Sequence, residues 1–431
     1  MKKENVNNLH SQESFSDSDA VSVQDSEYSQ VKVPLNKRQG FWQLFFVMVG
    51  FTFFSPSMIT GGQLGIGLNF RDFVLAVLIG NGFLAVYTGL LAHISQKSGY
   101  NLDLLAKKTF GSSGSILSSA LVSFTQTGWF GVGVAMFVLP VAQMFGINKY
   151  LLILITGLLM TITAVLGIKA LSIFGAIAVP LIAILGSYSS ALSIGKVGGW
   201  SNIFSDNPAQ PLTLTVAIGM VIANFVSGGT STPNFTRFGK TSKQAVWATV
   251  IAFFFGNILM ISFGAIGASV YNEADIFNVL ILQGLMIPAI LTLGFNIWST
   301  NNNALYTAGL GVSNITKLPI KYSTAIMGVI GTVSAIILYE NFTSFLTLLG
   351  TFIPPVGAVI ITHYFLNKDD VTSDVFDKEN KLNITALVAV VLGALAALLI
   401  PVGIAAINGL LISAVAYFIL VKVMPKTANE N

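Results

Sequence analysis

The stretch that decides the fold is FWQLFFVMVGFTFFSPSMITGGQLGIGL, residues 41–68. It is long and apolar enough to cross a bilayer, which takes about 20 residues of helix. It also contains Gly50, the sequence Ser55-Pro56-Ser57 and a run of glycines from residue 61 onward. Pro56 lacks an amide hydrogen and its ring clashes with the preceding turn, so the helix is predicted to break there. Because unpaired backbone survives at membrane depth only beside protein or a polar cavity, this break is a predicted site for a bound solute or ion.

The composition predicts an all-α polytopic membrane protein. Of the 431 residues, 53% are hydrophobic and only 9% are charged, with a mean hydropathy of +0.76, whereas soluble domains carry about 25% charged residues. The absence of cysteine excludes disulfides, cysteine zinc sites and thiol catalysis. The sequence has no HExxH motif and no buried carboxylate pair, so it lacks the catalytic groups that a membrane enzyme would need, and it lacks an output domain for a sensor. We therefore predict a transporter that is not an enzyme, with a non-transporting sensor as a remote alternative.

Apolar segments of helical length divide the chain into about twelve predicted spans. Residues 1–36 are polar and are predicted to form a disordered tail, followed by a transporter domain over residues 37–424 and a short tail at 425–431. The first apolar run begins only at residue 41, so no cleavable signal peptide is predicted. The predicted spans are 41–68, 71–94, 115–145, 148–168, 170–194, 212–233, 243–271, 278–311, 322–339, 342–366, 382–400 and 402–423.

The basic residues test this division. With the N-terminus inside, nineteen of the 22 Lys and Arg residues fall on the cytoplasmic side, and only Arg71, Lys149 and Lys196 fall outside. This is the positive-inside bias of proteins in the cytoplasmic (inner) cell membrane, and it predicts that both termini are cytoplasmic. The expected partners are a small-molecule substrate and membrane lipid, with no nucleic acid and no obligate protein partner.

No Asp or Glu lies in the middle of a predicted span. Proton-driven transporters usually keep a carboxylate or histidine at depth, and here only His93 and His363 approach that position, both near the ends of their helices. This pattern favours an uncharged substrate and a coupling ion held by neutral oxygens. A proton-coupled transporter is the alternative.

The sixth span, residues 212–233, is predicted to be the second broken helix. Its second half collects Asn224, Phe225, Ser227, two glycines and a Thr-Pro pair. Unwound backbone at this point would offer free amides and carbonyls to a ligand, beside the Asn224 and Ser227 side chains. The alternative is a seam of small residues that only packs helices.

Two further spans carry polar residues at depth. In the third, Gln126 and Trp129 are three residues apart and share one helix face. In the eighth, the Ser299 and Thr300 hydroxyls lie beside the Asn296 carbonyl, which makes half of a small hard-cation site unless the hydroxyls bond to their own helix. Amides and flat aromatic rings without charge predict a neutral, planar, hydrogen-bonding solute, such as a nucleobase.

The segments TFFSPSMITGGQLGIGL, TQTGWFGVGVAMF, FVSGGTSTPNFTRFG, LGFNIWSTNNNALYTAGLG and FIPPVGAVI carry a family resemblance. Over residues 37–422 the sequence resembles the purine-cytosine permease (nucleobase-cation-symport-1) family. The resemblance implies a leucine-transporter-type fold, with inverted five-helix repeats at 41–194 and 212–366, broken helices 1 and 6, and two C-terminal helices within 382–423. It also implies sodium-coupled symport of cytosine.

The same resemblance implies a role for individual residues. Trp129 and Phe225 would stack on the two faces of the pyrimidine, and Gln126, Ser227 and Asn296 would bond its edge. The polar residues at depth add Asn224 and Asn301 to the predicted substrate contacts. The predicted sodium ligands are the carbonyls of Gly50, Phe53 and Asn296 and the hydroxyls of Ser299 and Thr300. Asn224 stands where the family has Ser, and Asn302 where it has Asp, so another pyrimidine, including a thiamine precursor, remains an open alternative.

Overall fold

The computed structural model describes residue 28 and residues 31–166, 169–208, 210–373 and 381–423. A helix lies in each predicted span. Eight helices of the described part are long and apolar enough to cross a membrane, and a bent pair makes a ninth. The helices are α1a Phe41–Thr52, α1b Pro56–Gly67, α2 Phe70–Ser98, α3 Leu102–Phe145, α4 Lys149–Leu166, α5 Lys169–Lys196, α6 Leu214–Thr230, α7 Ser242–Tyr271, α8 Met286–Thr316, α9 Ile320–Glu340, α10 Phe342–Leu366, α11 Ile384–Leu399 and α12 Ala405–Val423.

The first crossing is broken where Pro56 predicts it. Helices α1a and α1b meet at an angle of 55°. Phe53 leaves the helical conformation, with φ −77° and ψ 69°, and Pro56 occupies the first turn of α1b, where a missing amide hydrogen costs no helical bond. The prediction of a broken first helix is confirmed.

The second interruption lies further along the chain than predicted. Helix α6 continues through Ser227 to Thr230, and a tight turn at Ser231 leads into the short helix Pro233–Thr236. The Ser231 amide still donates to the Ser227 carbonyl at 3.2 Å. Glycines without Cβ atoms keep their N–H donors, so the helix persists until proline removes one. The expectation of unwound backbone around Ser227 is therefore wrong.

The helices form two groups that meet at the broken crossing. Helices α1, α2, α6 and α7 pack on one another and form the bundle, while α3, α4, α5, α8 and α9 form the scaffold. Within the bundle, α1b and α7 approach so closely that a Cβ atom on Gly61 would lie 2.0 Å from the Ile261 carbonyl oxygen. Small residues permit this approach between membrane helices. Helix α10 packs on α6 and α12, and α11 packs on α12.

Two predicted boundaries need correction. Helix α3 begins at Leu102, because Gly111 adopts φ 82° and joins an additional helical segment to the predicted span. The predicted eighth span divides at Gly284, φ 76°, into the short helix Ile276–Leu282 and α8. Both positions require the left-handed backbone that glycine adopts at little cost.

The predicted N-terminal tail ends before residue 36. Val33 is fully buried, and its amide donates to the Gly99 carbonyl at 3.1 Å. The Arg38 guanidinium donates to the Gln96 carbonyl at 2.7 Å and to that of Val33 at 3.3 Å. An apolar contact and a chain of hydrogen bonds therefore hold residues 31–36 against the bundle. The rest of the predicted tails, at 1–27, 29–30 and 425–431, lies outside the described residues.

Candidate functional site

A pocket lies where the break in the first crossing meets α3, α6 and α8. A water-sized sphere can occupy only about 20 Å³ of it, which is room for about one water molecule and far below the roughly 300–1,000 Å³ of typical ligand pockets. No charged side chain lines it. The lining residues are Phe51, Phe54, Gln126, Trp129, Asn224, Phe225, Gly228, Thr300 and Ala304.

Four aromatic residues line the pocket, Phe51, Phe54, Trp129 and Phe225. The Phe54 ring centroid lies 5.1 Å from that of Trp129 and 5.9 Å from that of Phe225, with its plane nearly perpendicular to both. Phe345 supports the indole of Trp129 from α10, 5.3 Å away between centroids. The two predicted stacking residues therefore both line the pocket, and Phe54 bridges them in edge-to-face contact.

Asn224 projects from α6 toward α1b. Its amide nitrogen donates to the Ser57 hydroxyl at 2.9 Å and to the Asn257 carbonyl oxygen at 3.2 Å. Its own carbonyl oxygen accepts a hydrogen bond from the Thr60 hydroxyl at 3.1 Å. Asn224 therefore lines the pocket and also binds α6 to α1b and α7.

Gln126 lines the pocket, whereas Ser227 lies behind it. The Gln126 amide nitrogen donates to the Ser227 hydroxyl at 3.0 Å, and that hydroxyl is 2.5 Å from the Thr125 hydroxyl. Ser227 is fully buried. In this arrangement Ser227 orients Gln126, while the second amide hydrogen and the carbonyl oxygen of Gln126 remain for a ligand.

The Asn296 side chain forms hydrogen bonds with residues of the break in the first crossing. Its amide nitrogen donates to the Phe53 carbonyl at 2.8 Å, and its side-chain oxygen accepts from the Ser55 amide at 3.1 Å and the Ser55 hydroxyl at 2.6 Å. These bonds satisfy backbone groups that the broken helix leaves without partners. Asn296 does not line the pocket, nor does Asn301, whose amide nitrogen donates to the Phe130 carbonyl at 3.1 Å.

The predicted sodium ligands are drawn from the same region. Phe53 and Asn296 are in direct contact, as above. The Thr300 hydroxyl donates to the Asn296 main-chain carbonyl at 2.9 Å, so Thr300 bonds to its own helix, which is the alternative to a cation site. The Ser299 side chain is buried on the same helix. Gly50 lies inside α1a. This set offers neutral oxygens only, and the described residues contain no group of three or more His, Asp or Glu that could hold a metal ion.

Comparison with known proteins identifies the family. Residues 32–420 match the family described as "Permease for cytosine/purines, uracil, thiamine, allantoin". The chain belongs to this permease family. The chain is 49% identical over 397 residues to the cytosine permease of Escherichia coli strain K12, covering 92% of this chain and 94% of that protein. The family consists of permeases, not enzymes.

Solved structures share the permease fold. The inward-facing conformation of Mhp1 matches with a TM-score of 0.80 and 18% identity, covering 92% of this chain and 94% of Mhp1. A Na+-coupled sialic acid symporter in a substrate-bound outward-open state matches with a TM-score of 0.67 and 15% identity, covering 90% and 91%. The polytopic leucine-transporter-type fold predicted from the sequence is therefore confirmed.

Several residues of this permease site were missed by the sequence reasoning. Phe51 and Phe54 flank the break, and their signal was an aromatic pair three residues apart before a proline. Thr300 lines the pocket, although the sequence assigned it only to sodium. Asn81 and Asn257 contact Asn224 or its partner, and each was visible as a lone amide in an apolar span.

Proposed function

We propose that this permease is a sodium-coupled symporter that imports cytosine across the cytoplasmic membrane by alternating access. The observation that carries the proposal is the uncharged pocket at the broken crossing, which combines two side-chain amides with four aromatic residues. Amides bond the edge of a heterocycle and aromatic rings cover its faces. The identity of 49% with a cytosine permease supports this substrate above other planar bases.

The location of the pocket supports a transport mechanism. Its walls come from α1 and α6 of the bundle and from α3 and α8 of the scaffold. Rocking of the bundle against the scaffold would open the pocket first to one side and then to the other. The distribution of basic residues supports an orientation with both termini in the cytoplasm.

Sodium is the proposed coupling ion, and it is transported with the substrate. The Phe53 carbonyl at the break and the Asn296 and Thr300 oxygens on α8 are the oxygen donors that hard cations prefer. Bound there, sodium would join bundle and scaffold beside the pocket and raise substrate affinity, and substrate would raise sodium affinity by the same factor. The likeness to a sodium-coupled symporter supports the choice of ion.

Uptake of radiolabelled cytosine into proteoliposomes tests the proposal. We expect accumulation when an inward sodium gradient is imposed, and none when potassium replaces sodium on both sides. Equal uptake in potassium would refute the sodium coupling, and uptake that follows an imposed pH gradient instead would support proton coupling. Competition by unlabelled uracil, adenine, 5-fluorocytosine and hydroxymethylpyrimidine ranks the substrates, and a stronger effect of any of these than of cytosine would refute the substrate assignment.

A further inference from the structure

Three buried asparagines form a continuous chain through the bundle and end in the pocket. Asn81 on α2 and Asn257 on α7 are fully buried, and Asn224 on α6 is 1% exposed. The Asn257 amide nitrogen donates to the Asn81 side-chain oxygen at 2.8 Å, and the Asn224 amide nitrogen donates to the Asn257 side-chain oxygen at 3.2 Å. With Thr60 and Ser57 on α1b, the chain touches all four bundle helices.

The orientation of the three asparagine amides is set at Asn81, the residue of this hydrogen-bonded chain that lies farthest from the pocket. The Asn81 amide nitrogen donates to the main-chain carbonyl of Val77 at 2.9 Å. A carbonyl can only accept, so Asn81 must turn its nitrogen toward Val77 and its oxygen toward Asn257. Asn257 must then turn its nitrogen toward Asn81 and its oxygen toward Asn224. The two ends of an amide are nearly identical in shape, so these hydrogen bonds alone decide the orientation.

At the pocket, this orientation decides what Asn224 can offer. The hydroxyls of Ser57 and Thr60 can each donate or accept, so they would tolerate either orientation of the Asn224 amide. Asn257 would not, because a flipped Asn224 would place two carbonyl oxygens against each other. With both amide hydrogens of Asn224 used by Ser57 and Asn257, its unused capacity is one lone pair on the carbonyl oxygen.

We propose that Asn81 and Asn257 are positioning residues that fix Asn224 as a hydrogen-bond acceptor in the pocket. The site then selects a heterocycle with an N–H donor on the edge that faces α6 and discriminates against an analogue that lacks it. This inference deepens the proposed function and rests on it, because it takes cytosine as the bound ring. Cytosine offers two such donors, the exocyclic amine and the ring N1–H.

Ligand selectivity of purified variants tests the proposal. The dissociation constants of cytosine, 2-pyrimidinone and 1-methylcytosine are measured, since each analogue lacks one of the two donors. In Asn81→Leu and in Asn257→Leu the Asn224 amide is free to flip. We expect both variants to lose preference for cytosine over the same one of the two analogues, by about fivefold or more, because one neutral hydrogen bond contributes about that factor. Asn81 does not touch Asn224, so the same change in selectivity in both variants could not come from the loss of a direct contact with Asn224.

Two further variants control for loss of a buried amide. Asn257→Asp, protonated at this fully buried position, keeps an O–H donor for the Asn81 side-chain oxygen and an acceptor oxygen against the Asn224 amide nitrogen, so the wild-type preference is expected to persist. Asn314→Leu removes a buried amide of the scaffold helix α8 that bonds Ser119, and it also should leave the preference unchanged. Wild-type preferences in both Leu variants of the chain, or an equal loss of affinity for all three compounds, would overturn the proposal. Failure of the wild type to bind cytosine would instead refute the proposed function.

Discussion

Replacement of Asn296 by leucine separates two roles that this residue could have. The family resemblance makes Asn296 a direct contact of the substrate, whereas in the structure all its side-chain hydrogen bonds go to residues of the break in the first crossing. In Asn296→Leu, the buried Phe53 carbonyl and Ser55 amide lose their partners. Each such group costs about 1–3 kcal/mol, so the arrangement that forms the pocket is weakened by at least about 2 kcal/mol, or roughly 30-fold.

The expected loss of affinity is the same for every ligand. A residue that acts by holding the break lowers the population of the competent pocket, which reduces the affinity for cytosine, 5-fluorocytosine and 2-pyrimidinone by one common factor. A residue that bonds the ring would instead penalise the compounds unequally. Dissociation constants from scintillation proximity binding at saturating sodium distinguish the two.

Asn301→Leu is the matched control. It removes a fully buried amide from the same helix, and that amide bonds the Phe130 carbonyl outside the pocket lining. We expect the cytosine affinity of Asn301→Leu to stay within about threefold of the wild type. A loss in Asn296→Leu that is confined to one compound, or an affinity within threefold of the wild type, would refute the role assigned to Asn296.

Three further changes test other parts of the structure. Trp129→Ala removes one aromatic face and should weaken cytosine binding by about 1–3 kcal/mol, whereas Trp298→Phe, outside the pocket lining, should not; equal affinities for both variants would contradict the pocket assignment. Phe54→Ala opens the space between the aromatic walls, so adenine should compete better for cytosine uptake than in the wild type, and an unchanged inhibition constant would count against it. Burial raises the pKa of Asp275 to about 6, above the value of about 3.9 in the unfolded chain. Between these two values the folded protein binds a proton that the unfolded chain has lost, so the free energy of unfolding should fall as the pH rises from about 4 to about 6. Asp275→Asn keeps one acceptor oxygen for the Phe277 amide, and its amide nitrogen can donate to the Tyr339 hydroxyl oxygen in place of the bond that Asp275 accepts. It should remove that decline, and identical melting profiles of the two proteins between pH 4 and pH 7.5 would contradict this.

The break in the first crossing was predictable because its cause is local. A proline among apolar residues removes a donor whatever lies around it, and the structure has the break at Phe53 to Ser55. The sixth helix shows the limit of the same reasoning. Its two glycines, Gly228 and Gly229, suggested unwound backbone, but they retain their amide hydrogens and the helix continues past them to Thr230. Composition alone does not show whether a glycine in a helical segment adopts a non-helical conformation.

Two polar residues of the pocket were singled out from the sequence, but their hydrogen-bond partners were not. Gln126 and Asn224 line the pocket, whereas Ser227 and Asn296 bond to other protein groups beside it. Whether a polar side chain faces the pocket or bonds to another protein group depends on the distances between helices that are far apart in the sequence. Asn224 bonds Asn257, and Asn257 bonds Asn81, so these contacts join three helices. No residue spacing within one helix predicts them.

The hydrogen bonds that hold the helices together also determine what the pocket recognises. Asn224 retains a single acceptor site after its bonds to α1b and α7, and Gln126 retains one N–H and a carbonyl that accepts no hydrogen bond from the described residues. The pocket therefore presents both donors and acceptors, but no charge, between aromatic walls. A ring with both N–H and carbonyl groups on its edge satisfies this set, whereas an ion or an apolar molecule leaves buried polar groups unpaired. The proposed selectivity for a neutral heterocycle would thus follow from the same contacts that fix the bundle.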